Sequence, residues 1–79
     1  VPPSDHMLVV RNDDRPGVIG LVGTLLGDHD VNIADMDVGR ADTPGTALMV
    51  IATTREVSEN VLADLRSKPG IIEVTSLRA

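Results

Sequence analysis

The chain has 79 residues, a net charge of −5, no cysteine and no Phe, Tyr or Trp. That length allows one small domain, and the acidic balance excludes a nucleic-acid or anionic-membrane surface, while the lack of thiols excludes a disulfide scaffold. The core has to be built from Val, Leu, Ile, Met and Ala, and because so short a chain buries only about 60% of its unfolded surface, a partner surface is expected to help.

Residues 1–5, with Pro2 and Pro3, read as a linker, and 6–79 as the domain. No apolar run approaches the roughly 18 residues of a membrane span and no leader opens the chain, so a soluble, cytoplasmic module at the tail of a longer protein is expected. His6–Asn12 reads as a strand centred on Leu8, Val9 and Val10. Pro16 suits a first helical position, and from Gly17 to about Asp28 the residues Val18, Ile19, Val22, Leu25 and Leu26 recur at helical spacing. Gly27 and Asp28-His29-Asp30 end that helix. Val31–Arg40 reads as a second strand, Ala41–Gly45 as a turn and Thr46–Thr53 as a third strand. Ser58 is the candidate N-cap of a second helix, with Val57 and Leu62 as its staple. Val61, Leu62 and Leu65 face the core, Pro69-Gly70 stops the helix, and Ile71–Leu77 is the last strand.

The order β-α-β-β-α-β predicts an α+β, ferredoxin-like domain: a four-stranded antiparallel sheet in the order 4-1-3-2 with both helices on one face. Strands one and three are apolar at nearly every position, as central strands are. Helices cover only one sheet face, so a protein partner or neighbouring domain is expected over the other.

Chemistry is confined to a few positions. Without aromatics the chain cannot stack bases, and without paired cysteines it cannot carry a soft metal. Asp13 and Asp14 are adjacent and point to opposite strand faces, which makes them a poor acid–base pair. His29 reads as a solvated charge at a helix end, His6 as a strand-end polar residue, and no serine is visibly set among a histidine and a carboxylate. The domain is expected to be no enzyme, to hold no metal and to carry no cofactor.

Asn12 and Asp14 remain. If the first strand runs that far, they share one face and flank a helix start, where unpartnered N–H groups attract a carboxylate while Asp14 attracts an ammonium. Capping alone is the competing reading of Asp14, turn service that of Asn32, and a solvent-facing charge that of Arg15. Gly20, Gly23 and Gly27 share one helix stripe, open either to close approach of a partner or to no role.

Asp14-Arg15-Pro16-Gly17-Val18, Gly23-Thr24-Leu25-Leu26-Gly27, Val31-Asn32-Ile33, Ala47-Leu48-Met49-Val50 and Pro69-Gly70-Ile71 together resemble an ACT domain. They resemble in particular the C-terminal regulatory domains of D-3-phosphoglycerate dehydrogenases, from roughly His6 to Leu77. The resemblance implies feedback control of attached upstream catalytic domains, an NAD-dependent dehydrogenase of serine biosynthesis. It implies a homodimer paired through a sheet edge and the first helix, with a small amino acid, foremost L-serine, held between the copies. Asn12 and Asp14 then take the loop role, the N–H groups near Pro16 and Gly17 face the carboxylate, and Asn32 reaches in from the other copy. The competing readings are the ACT domain of a bacterial L-serine dehydratase and a dimerisation module that binds no ligand.

Overall fold

In the computed structural model, residues 6–78 are described, and the expected linker lies outside them. The elements are β1 (His6–Asp13), α1 (Val18–Asp28), β2 (Ile33–Arg40), β3 (Thr46–Thr53), α2 (Glu59–Arg66) and β4 (Ile71–Arg78). The four strands form one antiparallel sheet in the order β2-β3-β1-β4, which is the expected order read from its other edge.

Register decides which side chains meet the helices. Leu8 lies opposite Ile51, Val10 opposite both Met49 and Val74, and these buried residues form the sheet side of the core. Val18, Val22, Leu25 and Leu26 of α1 close it from above, with Val61, Leu62 and Leu65 of α2. Each such fully buried aliphatic side chain contributes about 1.5–3 kcal/mol. Val57 and Leu62, the expected staple, are both buried, although the Ser58 side chain makes no capping bond. The other sheet face carries Met7, Val9, Leu48 and Val50, all half-buried, with Asp35, Asp37 and Glu73 along its margins. That face is apolar at its centre, and no helix among the described residues covers it.

Local chemistry sets the boundaries. All three Pro-Gly pairs, 16–17, 44–45 and 69–70, end on a glycine of positive φ, at 91°, 79° and 88°. Two of them close type II turns, Thr46 N–H to the Thr43 carbonyl and Ile71 N–H to the Lys68 carbonyl. The third shifts the helix start. Pro16 is not the first helical residue: Gly17 is the N-cap, its left-handed backbone falls outside helix, and α1 begins at Val18. At the other end Gly27 stays inside the helix and Asp30 takes the left-handed position at φ 60°. Asp30 N–H bonds the Gly27 carbonyl and Val31 N–H the Leu26 carbonyl, a Schellman closure with its apolar contact between Val31 and Leu26. That closure holds Val31 to the helix, so β2 starts at Ile33 rather than Val31. No helix among the described residues is long and apolar enough to cross a membrane.

Candidate functional site

The three Pro-Gly turns lie at one end of the sheet, and β1 runs into the middle of them. Asp13 N–H donates to the Gly70 carbonyl at 2.8 Å and Asp14 N–H to the Gly45 carbonyl at 2.9 Å. These bonds pin both aspartates by their backbones and do not engage their side chains.

Asn12 is the last helix-facing residue of β1, opposite Ala47 on β3 and Ile71 on β4, beside a bulge between Arg11 and Asn12. It is only 3% exposed. Its Nδ2 donates to the Asp13 carbonyl at 2.8 Å, which fixes the amide orientation because the reverse would set two oxygens together. Its Oδ1 is buried and accepts no hydrogen bond. A buried acceptor left without a donor costs about 1–3 kcal/mol, so it marks a position that structure alone does not explain.

Asp14 departs from expectation. The strand ends at Asp13, so Asp14 does not share a strand face with Asn12; it sits in the bend that follows and is exposed. It does not cap α1 either, since the N-cap is Gly17 and no side chain caps that helix. It borders a cleft of about 410 Å³ whose other walls are Arg40 and the β2–β3 loop, Ala41 to Thr46, with Asp42 among them. Arg15 turns to Asp13, Nε to Oδ2 at 3.8 Å, rather than to Asp14.

Arg40 escaped the sequence reading, although a signal was present. Met36, Val38 and Arg40 alternate onto one face of β2, so the basic residue ends a row of apolar ones. Register sets Arg40 opposite Ala47, which is in turn opposite Asn12, and these three form one row across the helix-facing side of the sheet.

Asn32 lies far from this end. It precedes β2, where Ile33 pairs with Thr53, and Met7 at the start of β1 pairs with the neighbouring Ala52. Its carbonyl accepts the Thr54 N–H at 3.0 Å, and its exposed side chain makes no hydrogen bond among the described residues. One chain therefore does not bring Asn32 to Asn12 and Asp14.

A larger cleft, about 480 Å³, runs between the helices along Gly17, Gly20, Leu21, Thr24 and Asp28 to His29, Asp64 and Lys68. Its charged end is internally paired. His29 Nε2 is 3.0 Å from Asp64 Oδ2 and Lys68 Nζ is 3.3 Å from Oδ1. The His29 hydrogen bond first, and then Lys68, hold the Asp64 carboxyl below its usual range. His29 is thus tied across the helices rather than merely solvated. No group of three or more metal-ligating side chains converges among the described residues.

The ACT domain family model matches residues 6–70. A D-3-phosphoglycerate dehydrogenase of Bacillus subtilis (strain 168) is 39% identical over 72 residues, covering 91% of this chain and 14% of that protein. The probable L-serine dehydratase beta chain of the same organism is 35% identical over 71 residues, covering 90% of this chain and 32% of that one. Among solved structures, the acetolactate synthase small subunit of Thermotoga maritima superposes with a TM-score of 0.69 at 23% identity, over 90% of this chain and 45% of that chain. The chain thus spans a small part of the curated relatives it matches. It belongs to the ACT domain family, and as a regulatory domain it is related to those of D-3-phosphoglycerate dehydrogenases.

Proposed function

We propose that this domain binds a small amino acid, L-serine foremost, between two copies of itself and gives feedback control of an attached D-3-phosphoglycerate dehydrogenase in the cytoplasm. The observation that carries the reading is the buried Asn12 Oδ1, which has no donor, in the strand end that leads to an Asp14 carboxylate that caps nothing. The ammonium group of an amino acid supplies the donors and the positive charge that these two acceptors lack. The start of α1 adds the positive end of a helix dipole beside Pro16 and Gly17. Asn32, at the opposite end of its own sheet, enters from the second copy.

The same geometry supports a homodimer along β2 and α1. Leu21, Thr24 and Asp28 of α1 face α2, so Ile19 and Gly23 lie toward the other flank, with Gly20 and Gly27 on the outer side between the two. α2 packs on β4, which leaves that flank on the β2 side. Ile19 is 48% exposed there and Val38 of β2 47% exposed, two large apolar side chains left half open among the described residues. Catalysis belongs, in this reading, to domains upstream, and this domain needs no cofactor of its own.

Titrating the protein with each of the twenty amino acids tests the proposal. A bound ligand at 100 times its dissociation constant adds about 2.7 kcal/mol and raises the melting temperature, and L-serine is expected to give the largest rise. No shift with any of them would reduce the domain to a dimerisation module. The similarity to the L-serine dehydratase beta chain supports a second parent for the same domain. The two parents separate on which reaction of the intact protein responds to the ligand.

A further inference from the structure

We infer that Arg40 holds the carboxylate of the bound amino acid, so that Asp14 and Arg40 of a single chain form the two halves of a zwitterion clamp. The inference rests on the amino-acid reading above and adds to it a residue, a wall of the site and the part of the ligand that is read there.

Three observations carry it. First, Asp14 and Arg40 border the same cleft of about 410 Å³, closed on its remaining side by the Pro44-Gly45 turn. Second, Arg40 is singular among the described basic side chains. Arg11 pairs with Glu73, Arg15 with Asp13, Arg66 with Glu59 and Lys68 with Asp64, while Arg55 donates to the His29 carbonyl. Arg40 makes neither an ion pair nor a hydrogen bond among the described residues, and Asp14 likewise makes no side-chain bond. Arg40, Asp14 and Asp42 thus line one cleft without pairing with one another, one guanidinium free for a carboxylate and carboxylates free for an ammonium, the two groups that an α-amino acid carries. Third, Arg40 stands in the cross-strand row that continues through Ala47 to Asn12, whose Oδ1 lacks a donor.

The division of labour follows from donor geometry. A guanidinium presents parallel N–H groups that match a carboxylate bidentately, and it cannot lose its charge. Asp14 is exposed and accepts only, which suits an ammonium. Arg40 therefore selects for the carboxylate end of the ligand, while Asp14 in the β1–α1 bend selects for its amino end. Because Asp14 N–H is bonded to the Gly45 carbonyl, the two halves are held at a fixed spacing.

The test compares the full chain with Arg40→Met, Arg40→Lys and Asp14→Asn, using calorimetry with each of the twenty amino acids, L-serine first, and with ethanolamine, which lacks the carboxylate. Arg40→Met is expected to weaken amino-acid binding about tenfold or more, as loss of a charge-assisted bond does, and to leave the unliganded melting temperature unchanged. Arg40→Lys, which keeps the charge and loses the fork, should fall between. Ethanolamine should bind more weakly than L-serine to the unaltered chain and be indifferent to Arg40→Met, whereas Asp14→Asn should weaken L-serine. Amino-acid binding that is unchanged in Arg40→Met would overturn the clamp and leave the amino-acid reading standing. Absence of binding by all twenty to the unaltered chain would remove both.

Discussion

Asp14 donates its backbone N–H to the carbonyl of Gly45 at 2.9 Å, and through that bond the end of the first strand is spliced to the β2–β3 hairpin. A parallel splice joins Asp13 to Gly70. Both acceptors are glycines in left-handed turns, so the candidate site is positioned by backbone conformations that other residues adopt at a cost.

That cost differs at the two turns. At Gly45 an added Cβ would meet nothing within 4 Å, so Gly45→Ala should lose only the conformational strain of φ 79°, about 1–2 kcal/mol. At Gly70 the Cβ would come 3.2 Å from Val18 Cγ2 and 3.0 Å from Arg15 Nη2 as well. Urea unfolding should therefore rank Gly70→Ala as the more destabilising of the two. Equal losses would show that the Arg15 and Val18 side chains give way freely.

The Asp64 carboxylate makes the domain sensitive to acid. Its hydrogen bond from His29, with Lys68 behind it, holds its pKa below the ordinary 3.8 in the folded state. A carboxyl depressed by folding stabilises the protein fully above its unfolded value, and that contribution disappears as pH falls through the folded value. Melting temperature should thus drop below about pH 3.8, and Asp64→Asn should flatten part of that drop while lowering stability at neutral pH. The group is exposed, so the effect is small, and 1 M salt should reduce it further. A melting profile that is identical in Asp64→Asn from pH 2 to 6 would remove the His29–Asp64–Lys68 cluster from the account.

Asn12 separates stability from recognition. Asn12→Ala loses the Nδ2 bond to the Asp13 carbonyl, worth about 1 kcal/mol, and also removes a buried acceptor without a donor. The two changes oppose each other, so chemical denaturation should show a net change within about 1 kcal/mol. The thermal response to amino acids should be abolished all the same. A variant that still responds fully would assign the orphan oxygen to the fold.

Much of this was legible in the residues. The continuous apolar runs Leu8–Val10 and Leu48–Ile51 and the helical spacing from Val18 to Leu26 marked the central strands and the first helix, and the Pro-Gly pairs marked where the chain reverses. What escaped was decided by closures that no local pattern announces. The Schellman bonds from Asp30 and Val31 delay β2 by two residues, and the left-handed Gly17 moves the start of α1 past Pro16. Asn12 and Asp14 were visible as polar residues at a strand end. That one would be buried and the other exposed depended on β1 ending at Asp13. Arg40 was hidden because its significance lies in what it does not touch, and a lack of partners is a property of the folded chain.

The glycines of α1 give the most discriminating stability test. Gly23 sits in the helix interior, where alanine is favoured by about 1 kcal/mol, and a Cβ there would meet nothing within 4 Å. For an isolated chain Gly23→Ala should therefore raise stability by about that amount. If two copies approach along the Ile19 and Gly23 flank, the same methyl stands between their helices and forces them apart. Sedimentation equilibrium should then show weaker self-association for Gly23→Ala, while urea unfolding at concentrations too low for dimers shows a more stable chain. Self-association as strong as that of the unaltered protein would move the interface off α1 and leave its bare glycines with no role in assembly.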